Sequence, residues 1–390
     1  MNRLNPEIFK WARETAGMTL EEGAHAIGIS SRVLAAIEDG EKLPTRKQLS
    51  NLANAYRRSL LTFYLPAPPL KGKGVEDFRT LPQDRLAESE AKVDALVRDL
   101  RTRQSLIREI LEDDEDTRPL DFVGSSTLTA GVLSLKDKIE NLIGLSTTEY
   151  RAQPSVEKAF SLLRGKTEKA GIFVMLAGNL GSHHTNISTD VFRGLAIADA
   201  IAPFIVINDN DAKPAWSFTL LHELAHILLG ATGISGGANH GVDKKIEQFC
   251  NDAAGEFLLP RSDAQKLDLR GLSTDDQIAL ITEHAHQWRV SRQMVAYRLH
   301  RVNGITREEW KSIATEIQAR WMKERDREKQ TLKNGKSSGP TYYTTRRHRL
   351  GNALIELAKR HVSNGSLPPV KAAKALGVKP RSIYALLTMV

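Results

Sequence analysis

Two histidines and a glutamate stand close together in the stretch FTLLHELAHILLG, residues 218–230. His222 and His226 are four residues apart, so on a helix both imidazoles lie on one face and can reach one metal ion. Glu223, next to the first histidine, is placed to act as a general base toward water at that ion. The H-E-x-x-H pattern predicts a catalytic zinc (Zn2+) site; the alternative is an apolar core helix that carries two histidines.

The residues around this motif are mostly apolar, which favours the zinc interpretation. Buried polar side chains need partners, and one metal ion would satisfy both imidazoles. A catalytic zinc also needs a third protein ligand and an open position. Glu247 lies 21 residues after His226, at the start of the helical stretch EQFCNDAAGEFLLP. We therefore predict His222, His226 and Glu247 as the metal ligands.

A rival third ligand follows in the same stretch. Glu256 lies nine residues after Glu247, which is about 13 Å along a helix, so only one of the two can bind the ion. Asn251, one turn after Glu247, is expected to hydrogen-bond the Glu247 carboxylate and orient it. Three further residues are weaker candidates for the third ligand: His240, Asp243 and Asp252.

Composition and length bound the class of protein. A chain of 390 residues with 41% hydrophobic and 26% charged residues is typical of a soluble protein of two or three domains. No apolar run is long enough for a transmembrane helix, and the N-terminus does not read as a signal peptide. The single cysteine, Cys250, suits a reducing compartment. These features predict a cytoplasmic protein without membrane contact.

The charge is unevenly distributed. Residues 301–390 hold 19 Lys and Arg against 7 Asp and Glu, a balance of +12, whereas the first 300 residues hold 36 against 40, a balance of −4. This asymmetry favours an acidic partner for the C-terminal part, with nucleic acid first among the candidates. A solvated helical surface is the alternative, since a basic cluster is only an electrostatic footprint.

Apolar periodicity predicts a mostly α-helical chain with a small β-sheet. The best strand candidates are GIFVMLAG (171–178) and PFIVIND (203–209), and helices surround them. If the second strand forms a sheet edge beside the metal helix, it could pair with an extended substrate. His183 and His184 fall in the polar loop between the strands. No internal repeat is evident.

These stretches resemble the ImmA/IrrE family of metallo-endopeptidases, cytosolic zinc proteases that cleave transcriptional repressors. The resemblance rests on VFRGLAIAD (191–199), APFIVIND (202–209), FTLLHELAHILLG and EQFCNDAAGEFLLP. It implies an α+β zincin-like peptidase domain, zinc held by His222, His226 and Glu247, and Glu223 as general base. It names no second donor to the oxyanion; the open candidates are Tyr297, His284 and His286.

The N-terminal segment GMTLEEGAHAIGISSRVLAAIEDGEKLPT has the layout of a helix-turn-helix. With its flanking helices it resembles an Xre/Cro-type repressor domain, an all-α domain. The residues expected to contact DNA are Ser30, Ser31, Arg32, Ala35, Arg46 and Lys47. Residues 1–60 carry 9 Lys and Arg against 7 Asp and Glu, a weak field for a polyanion. A dimerisation or substrate-docking role is therefore the alternative.

The C-terminal segment is helical again. AAKALGVKPRSIYALL (372–387) has helix-turn-helix spacing around Gly377, with Lys379 and Arg381 at the start of its second helix. It is similar to a helical accessory segment of fused members of the same peptidase family. DNA contact through this basic segment rests mainly on its charge.

We therefore expect five segments. They are a helix-turn-helix domain (1–64), a linker and long helix (65–129), a zinc metallopeptidase domain (130–305), a charged helix and linker (306–345), and a basic helical segment (346–390). The expected function is zinc-dependent cleavage of a regulatory protein, with a repressor as the substrate class and stress response or transcription regulation as the setting. The alternative is an antitoxin-like DNA-binding regulator whose zinc site is structural or inactive. A homodimer is also expected.

Overall fold

The computed structural model of the chain describes residues 4–69, 86–181, 185–235, 242–334 and 341–388. His183, His184 and His240 lie outside these ranges, as do parts of both predicted linkers. Where the chain is described, α-helices predominate and four short strands form one sheet. The predicted fold class, mostly α with a small sheet, is confirmed.

The first described α-helix begins at Pro6 and the last one ends at Thr388. The helices are α1 (Pro6–Glu14), α2 (Leu20–Ile27), α3 (Ser31–Glu38), α4 (Arg46–Ala55), α5 (Leu86–Glu112), α6 (Val132–Ile143), α7 (Thr147–Arg151), α8 (Val156–Lys169), α9 (Lys213–Leu228), α10 (Val242–Leu258), α11 (Arg261–Ala264), α12 (Thr274–Trp288), α13 (Arg292–Arg301), α14 (Arg307–Asn334), α15 (Tyr342–Leu350), α16 (Asn352–Ser363), α17 (Pro369–Ala375) and α18 (Ile383–Thr388). No described helix is both long and apolar enough to cross a bilayer.

The chain divides into two compact units. One comprises residues 1–101, 179–192 and 236–238, and the larger one comprises residues 102–178, 193–235 and 239–390. The domain boundaries drawn from the sequence remain predictions.

Side-chain caps define the helices of the N-terminal unit. Thr19 caps α2 and Thr45 caps α4, each in a reciprocal capping box, and Ser30 caps α3. Gly28 joins α2 to α3 with a φ of 72°, a left-handed conformation that favours glycine. A buried cluster beneath these helices includes Phe9, Leu34, Leu52, Tyr56 and Phe63.

An ion pair fixes two of these helices to each other. Arg13 of α1 donates from Nε and Nη2 to the two carboxylate oxygens of Glu38 in α3, both at 2.8 Å, and from Nη1 to the Met18 carbonyl at 2.9 Å. The two side chains are only 11% and 5% exposed. Glu38 therefore anchors the helix that carries Arg32.

The sheet comprises β1 (Phe173–Leu176), β2 (Gly194–Ile197), β3 (Phe204–Ile207) and β4 (Gly233–Ser235) in the order β1-β3-β2-β4. β1 and β3 are parallel, while β2 pairs antiparallel with both β3 and β4. The first three strands are buried along their whole length. Strands buried on both faces read as continuous apolar runs, which is why β1 and β3 were predictable.

The condition set for substrate pairing with IVIND, that this strand forms a sheet edge, is not met. β3, which contains its first residues, lies between β1 and β2 and is paired on both sides. Its backbone groups are committed to the sheet, so β3 has no free edge for a substrate. β2 and β4, which were not predicted as strands, extend the sheet on that side.

The helix that carries the H-E-x-x-H motif lies at the centre of the larger unit. α9 packs against β2 and β3, and also contacts α8 and α10. Twelve of its sixteen residues are buried, as expected for a helix that is apolar on nearly all sides. The motif is thereby held in the core rather than on a surface element.

Within the larger unit, polar contacts connect the C-terminal helices to α8 and to the end of β3. Gly351, at the start of α16, has a φ of 86° and provides no side-chain cap. Instead Glu168 of α8 accepts the backbone N–H groups of Asn352 and Ala353 at 3.2 and 3.4 Å. Arg349 donates to Asp209, after β3, at 2.7 Å. A residue outside the segment therefore caps α16.

Candidate metal centre

Three predicted ligands come from two helices that pack side by side. His222 and His226 project from adjacent turns of α9, and Glu247 projects from α10, which packs against α9. Both histidines are buried, at 4% and 3% exposure, while the Glu247 side chain is 12% exposed. The 21-residue spacing in sequence thus gives a return helix, as the pattern predicts.

The donor atoms of these residues converge on one point. The Nε2 atoms of His222 and His226 are 3.0 Å apart. Glu247 places Oε2 3.2 Å from the first Nε2 and Oε1 3.0 Å from the second. One ligand atom from each residue lies within 4.8 Å of the others.

This donor set fits a zinc ion. Atoms bound to a tetrahedral zinc at ~2.1 Å lie about 3.4 Å from each other, close to the 3.0–3.2 Å separations between these donors. Two neutral imidazole nitrogens and one carboxylate are also the combination that catalytic zinc sites use with a fourth, open position. Three protein donors leave that position for water or substrate.

The electrostatics of the cluster favour an anionic Glu247. Burial raises the pKa of this carboxyl, but hydrogen bonds from His222 and His226 outweigh burial and lower it to about 2. Burial lowers the pKa of His226, and the Glu247 contact only partly offsets this. Burial also lowers the pKa of His222, but Glu247, Glu223 and Asn251 together outweigh burial, so the pKa of His222 is raised. The carboxylate is therefore ionised at neutral pH, as a metal ligand must be.

Glu223 is fully buried at the start of the same helical turn as His222. The sheet approaches it closely at Gly194, the first residue of β2. A Cβ atom at Gly194 would overlap Glu223 Oε1 and would lie 2.8 Å from Glu223 Cδ and 2.7 Å from Thr219 Cγ2. Glycine is thus required for the carboxylate to occupy its position.

Gly194 was not singled out from the sequence. The available signal was a glycine at the start of an apolar run, which marks a close approach of another group to a strand. Its neighbour could not be identified because Glu223 lies 29 residues later in the chain.

Two family models match the chain. Residues 167–300 match a peptidase M78 model described as an IrrE N-terminal-like domain, and residues 9–63 match a helix-turn-helix model. The chain joins an IrrE-like metallopeptidase-type domain to a helix-turn-helix domain. The predicted fusion is confirmed, and the first match contains His222, Glu223, His226 and Glu247. No curated protein and no solved structure matches the chain.

The rival ligands of the IrrE-like domain have other partners. Glu256 pairs with Arg298 and accepts the backbone N–H of Arg261 at 3.1 Å. Asp252 pairs with Arg301 at 2.5 Å. Both carboxylates therefore connect α10 to α13 or to the turn that follows α10. His240 and the Asp243 side chain lie outside the described part of the chain.

Asn251 lies beside the metal-ligand cluster and affects the pKa of His222. Its side chain is close enough to His222 to contribute to the raised pKa of that histidine, but no hydrogen bond to His222 Nδ1 is seen among the described residues. We expected the Glu247 carboxylate as its partner. Glu247 and Asn251 are one turn apart on α10, so the two side chains lie on the same side of that helix.

The oxyanion candidates of the IrrE-like domain have structural contacts. The ring of His284 lies 2.9 Å from the Leu280 carbonyl and near Trp288. Tyr297 packs edge-on against Trp310, and burial raises its pKa to about 12. His286 is exposed on α12. The contacts of His284 and Tyr297 account for those two side chains without a catalytic role.

The predicted DNA contacts lie on the surface of the helix-turn-helix domain. Ser30 and Arg32 are exposed at the start of α3, where the Ser30 hydroxyl also accepts the Val33 N–H at 3.4 Å. Ser31 and Ala35 are half-buried on the same helix. Arg46 and Lys47 are exposed in the first turn of α4. Their role in DNA binding remains a prediction.

Proposed function

We propose that the chain is a zinc-dependent endopeptidase that cleaves a regulatory protein, with a transcriptional repressor as the substrate class. The main support is the convergence of His222, His226 and Glu247 beside a buried glutamate. A purely structural zinc has no need of a carboxylate at position 223. The family resemblance favours the same reaction and a setting in stress response or transcription regulation.

In this proposal His222, His226 and Glu247 hold the metal, and Glu223 moves the proton. A zinc ion bound there would supply Lewis-acid polarisation of the scissile carbonyl. The Glu223 carboxylate would accept a proton from the water that attacks the carbonyl carbon. It would then deliver that proton to the amine nitrogen as the C–N bond breaks. Asn251, one turn after Glu247 on α10, would help to orient the ligands.

We further propose that an extended substrate pairs with β4 rather than β3. β4 is an outer strand of the described sheet, and Ser235 pairs with Gly194, the residue next to Glu223. A peptide added to this edge would run beside the general base. Main-chain hydrogen bonds of this kind give affinity without strict sequence demands.

The helix-turn-helix domain would bring the peptidase to DNA or to its protein substrate. An Arg32 donor at the start of α3 supports base contact, while the near balance of charge in residues 1–60 supports protein recognition. The second candidate function, a regulator with an inactive zinc site, draws on the same domain. A homodimer stays a prediction.

Metal analysis tests the ligand set. We expect about one zinc per chain in the wild type after zinc loading and gel filtration, and almost none in Glu247→Gln. Glu256→Gln is the matched control, because it removes another buried carboxylate of α10 and should keep the metal. Circular dichroism checks that each variant is folded. A wild type without zinc, or full zinc in Glu247→Gln, would refute this ligand set.

A substrate trap tests the reaction. Glu223→Gln should retain zinc and lose hydrolysis by about 10²–10⁴-fold, so bound substrates should persist on it. A protein recovered on this variant must then be cut by the wild type at one site, located by mass spectrometry of the new N-terminus. If the wild type and Glu223→Gln leave every recovered partner intact, the inactive-site alternative is the better one.

A further inference from the structure

A fifteen-residue segment near the C-terminus resembles part of the N-terminal helix-turn-helix. Residues 373–387 align with residues 24–38 without a gap, and five positions are identical. The identical pairs are Ala24 and Ala373, Ala26 and Ala375, Gly28 and Gly377, Arg32 and Arg381, and Ala36 and Ala385. We call residues 24–38 the N-terminal repeat and residues 373–387 the C-terminal repeat.

The two segments also have the same turn. Gly28 and Gly377 both adopt the left-handed conformation, with φ values of 72° and 59°. The residue after each glycine donates its N–H to the equivalent carbonyl: Ile29 to Ala24 at 3.0 Å and Val378 to Ala373 at 2.9 Å. This is the turn that sets the angle between the two helices of such a motif.

The burial pattern repeats as well. Ala24, Ile27, Leu34 and Ile37 are buried in the first segment. Their counterparts are buried in the second: Ala373, Leu376, Ile383 and Leu386. The same face of the second helix therefore packs inward in both, and Arg32 and Arg381 are exposed at equivalent positions.

The surfaces differ in charge. Residues 24–38 contain one cation, Arg32, and one acid, Glu38, whereas residues 373–387 contain Lys374, Lys379, Arg381 and no acid. Over residues 341–388 there are nine Lys and Arg and one Glu, a balance of +8. The C-terminal repeat thus has the positive electrostatic field that the N-terminal repeat lacks.

Some of these cations stabilise the fold and others face solvent. Arg346 donates to the carbonyls of Leu376 and Gly377 at 2.9 and 2.6 Å, and Lys371 pairs with Glu109 at 2.8 Å. Lys374, Lys379 and Arg381 are exposed, and no ion pair is seen for them among the described residues. These three cations are available to an external anion.

We propose that residues 352–388 form a second helix-turn-helix, and that this one binds double-stranded DNA. The 3-10 turn Pro380–Ser382 continues into α18, the helix equivalent to α3. Arg381 in this turn and Tyr384 in α18, which is 61% exposed, face solvent at the positions equivalent to Arg32 and Ala35. An arginine can read guanine in the major groove, while Lys374 and Lys379 neutralise phosphates. This inference does not depend on the peptidase proposal.

Fluorescence anisotropy with a labelled 30-base-pair duplex of mixed sequence tests the proposal on the full-length chain. The variant is Lys379→Gln/Arg381→Gln, which changes two exposed side chains. We expect binding to weaken about tenfold at low salt, and the slope of log K against log salt to fall by about 2. Lys158→Gln/Lys311→Gln is the matched control, because it removes two other exposed cations.

The outcomes separate the two repeats and two kinds of partner. Arg32→Gln should weaken binding less than the C-terminal double variant does. The proposal is refuted if the wild type does not bind the duplex, or if both double variants bind equally. It is also refuted if single-stranded RNA of the same length competes better than the duplex. Circular dichroism shows whether the folded state is retained.

Discussion

The close approach of β2 to Glu223 makes Gly194→Ala an informative substitution. The added Cβ would lie 2.8 Å from Glu223 Cδ and 2.7 Å from Thr219 Cγ2, where ordinary contacts begin at 3.4 Å. Thr219 must therefore shift by about 0.7 Å and Glu223 by more than about 0.6 Å, because its Oε1 atom is closer still, in a closely packed core. We expect the overpacked variant to lose about 2 kcal/mol of unfolding free energy. That loss lowers the melting temperature by about 4–8 °C.

Calorimetry of the zinc-loaded protein measures this loss. Zinc content should stay at the wild-type level, since no metal ligand is touched. Hydrolysis of a substrate found with the trap variant should fall about 100-fold, because a general base displaced by a large fraction of an ångström is misaligned. Gly165→Ala in α8 is the control, since its Cβ meets nothing within 4 Å. It should raise stability by about 0.5 kcal/mol or more.

A double-mutant cycle identifies the cause. In a Glu223→Ala background the clash with the carboxylate is gone, so Gly194→Ala should cost at least ~1 kcal/mol less than in the wild type. Equal losses in the two backgrounds would refute the view that Glu223 determines the glycine. Adding Thr219→Ser removes the second close atom and should recover most of the remainder.

Three further substitutions or treatments test other parts of the fold. Asp199→Asn should lose about 1–2 kcal/mol of stability, because Asp199 accepts two backbone N–H groups and pairs with Arg108 at 2.5 Å. These contacts outweigh burial and lower the pKa of Asp199. The stability that Asp199 contributes is therefore present above its pKa in the unfolded chain and is lost as the pH falls through its pKa in the folded protein. Urea unfolding at pH 3 and pH 7 measures this loss. Arg13→Ala should destabilise the N-terminal unit by about 3 kcal/mol because it leaves Glu38 buried without its partner, measured as faster amide exchange in residues 6–64. Cys250 should resist a thiol reagent at pH 8 until the protein unfolds, since burial raises its pKa well above the ordinary value.

Each of these results can contradict its prediction. If Asp199→Asn loses as much unfolding free energy between pH 7 and pH 3 as the wild type does, Asp199 is not a source of the acid sensitivity. Amide exchange in Arg13→Ala that matches the wild type would mean that the Arg13–Glu38 pair adds no net stability. Rapid labelling of Cys250 in the native protein would show that α10 opens readily, contrary to its place in the core.

The spacing of residues along the sequence was enough to predict most of the candidate metal site. His222, Glu223 and His226 belong to one helix, and Glu247 opens the next long one, so their convergence follows from two helical periods and one return. Strand order was not accessible in this way. Whether IVIND lies at an edge depends on β2 and β4, and β2 is only four residues long and starts with a glycine.

Ion-pair partners were equally hidden in the sequence. Glu256 appeared as a rival to Glu247 because its ion-pair partner could not be recognised from the sequence. That partner, Arg298, lies 42 residues further along, in another helix. The same holds for Asp252, whose partner is Arg301. Tertiary contacts of this range decide which carboxylate is free for a metal, and no periodicity records them. Gly194 belongs to the same class.

The capping of α16 by Glu168 limits how far the C-terminal segment can be treated as a separable module. Glu168 is held by Arg164 and satisfies the first backbone N–H groups of α16. If the chain were cut between α14 and α15, the free helix would lose its cap, and the peptidase side would keep a buried carboxylate that has lost those partners. Gene fusions or truncations that exchange this segment would therefore need a compensating change at position 168. The C-terminal segment and the helix that carries Glu168 would therefore have to be exchanged together.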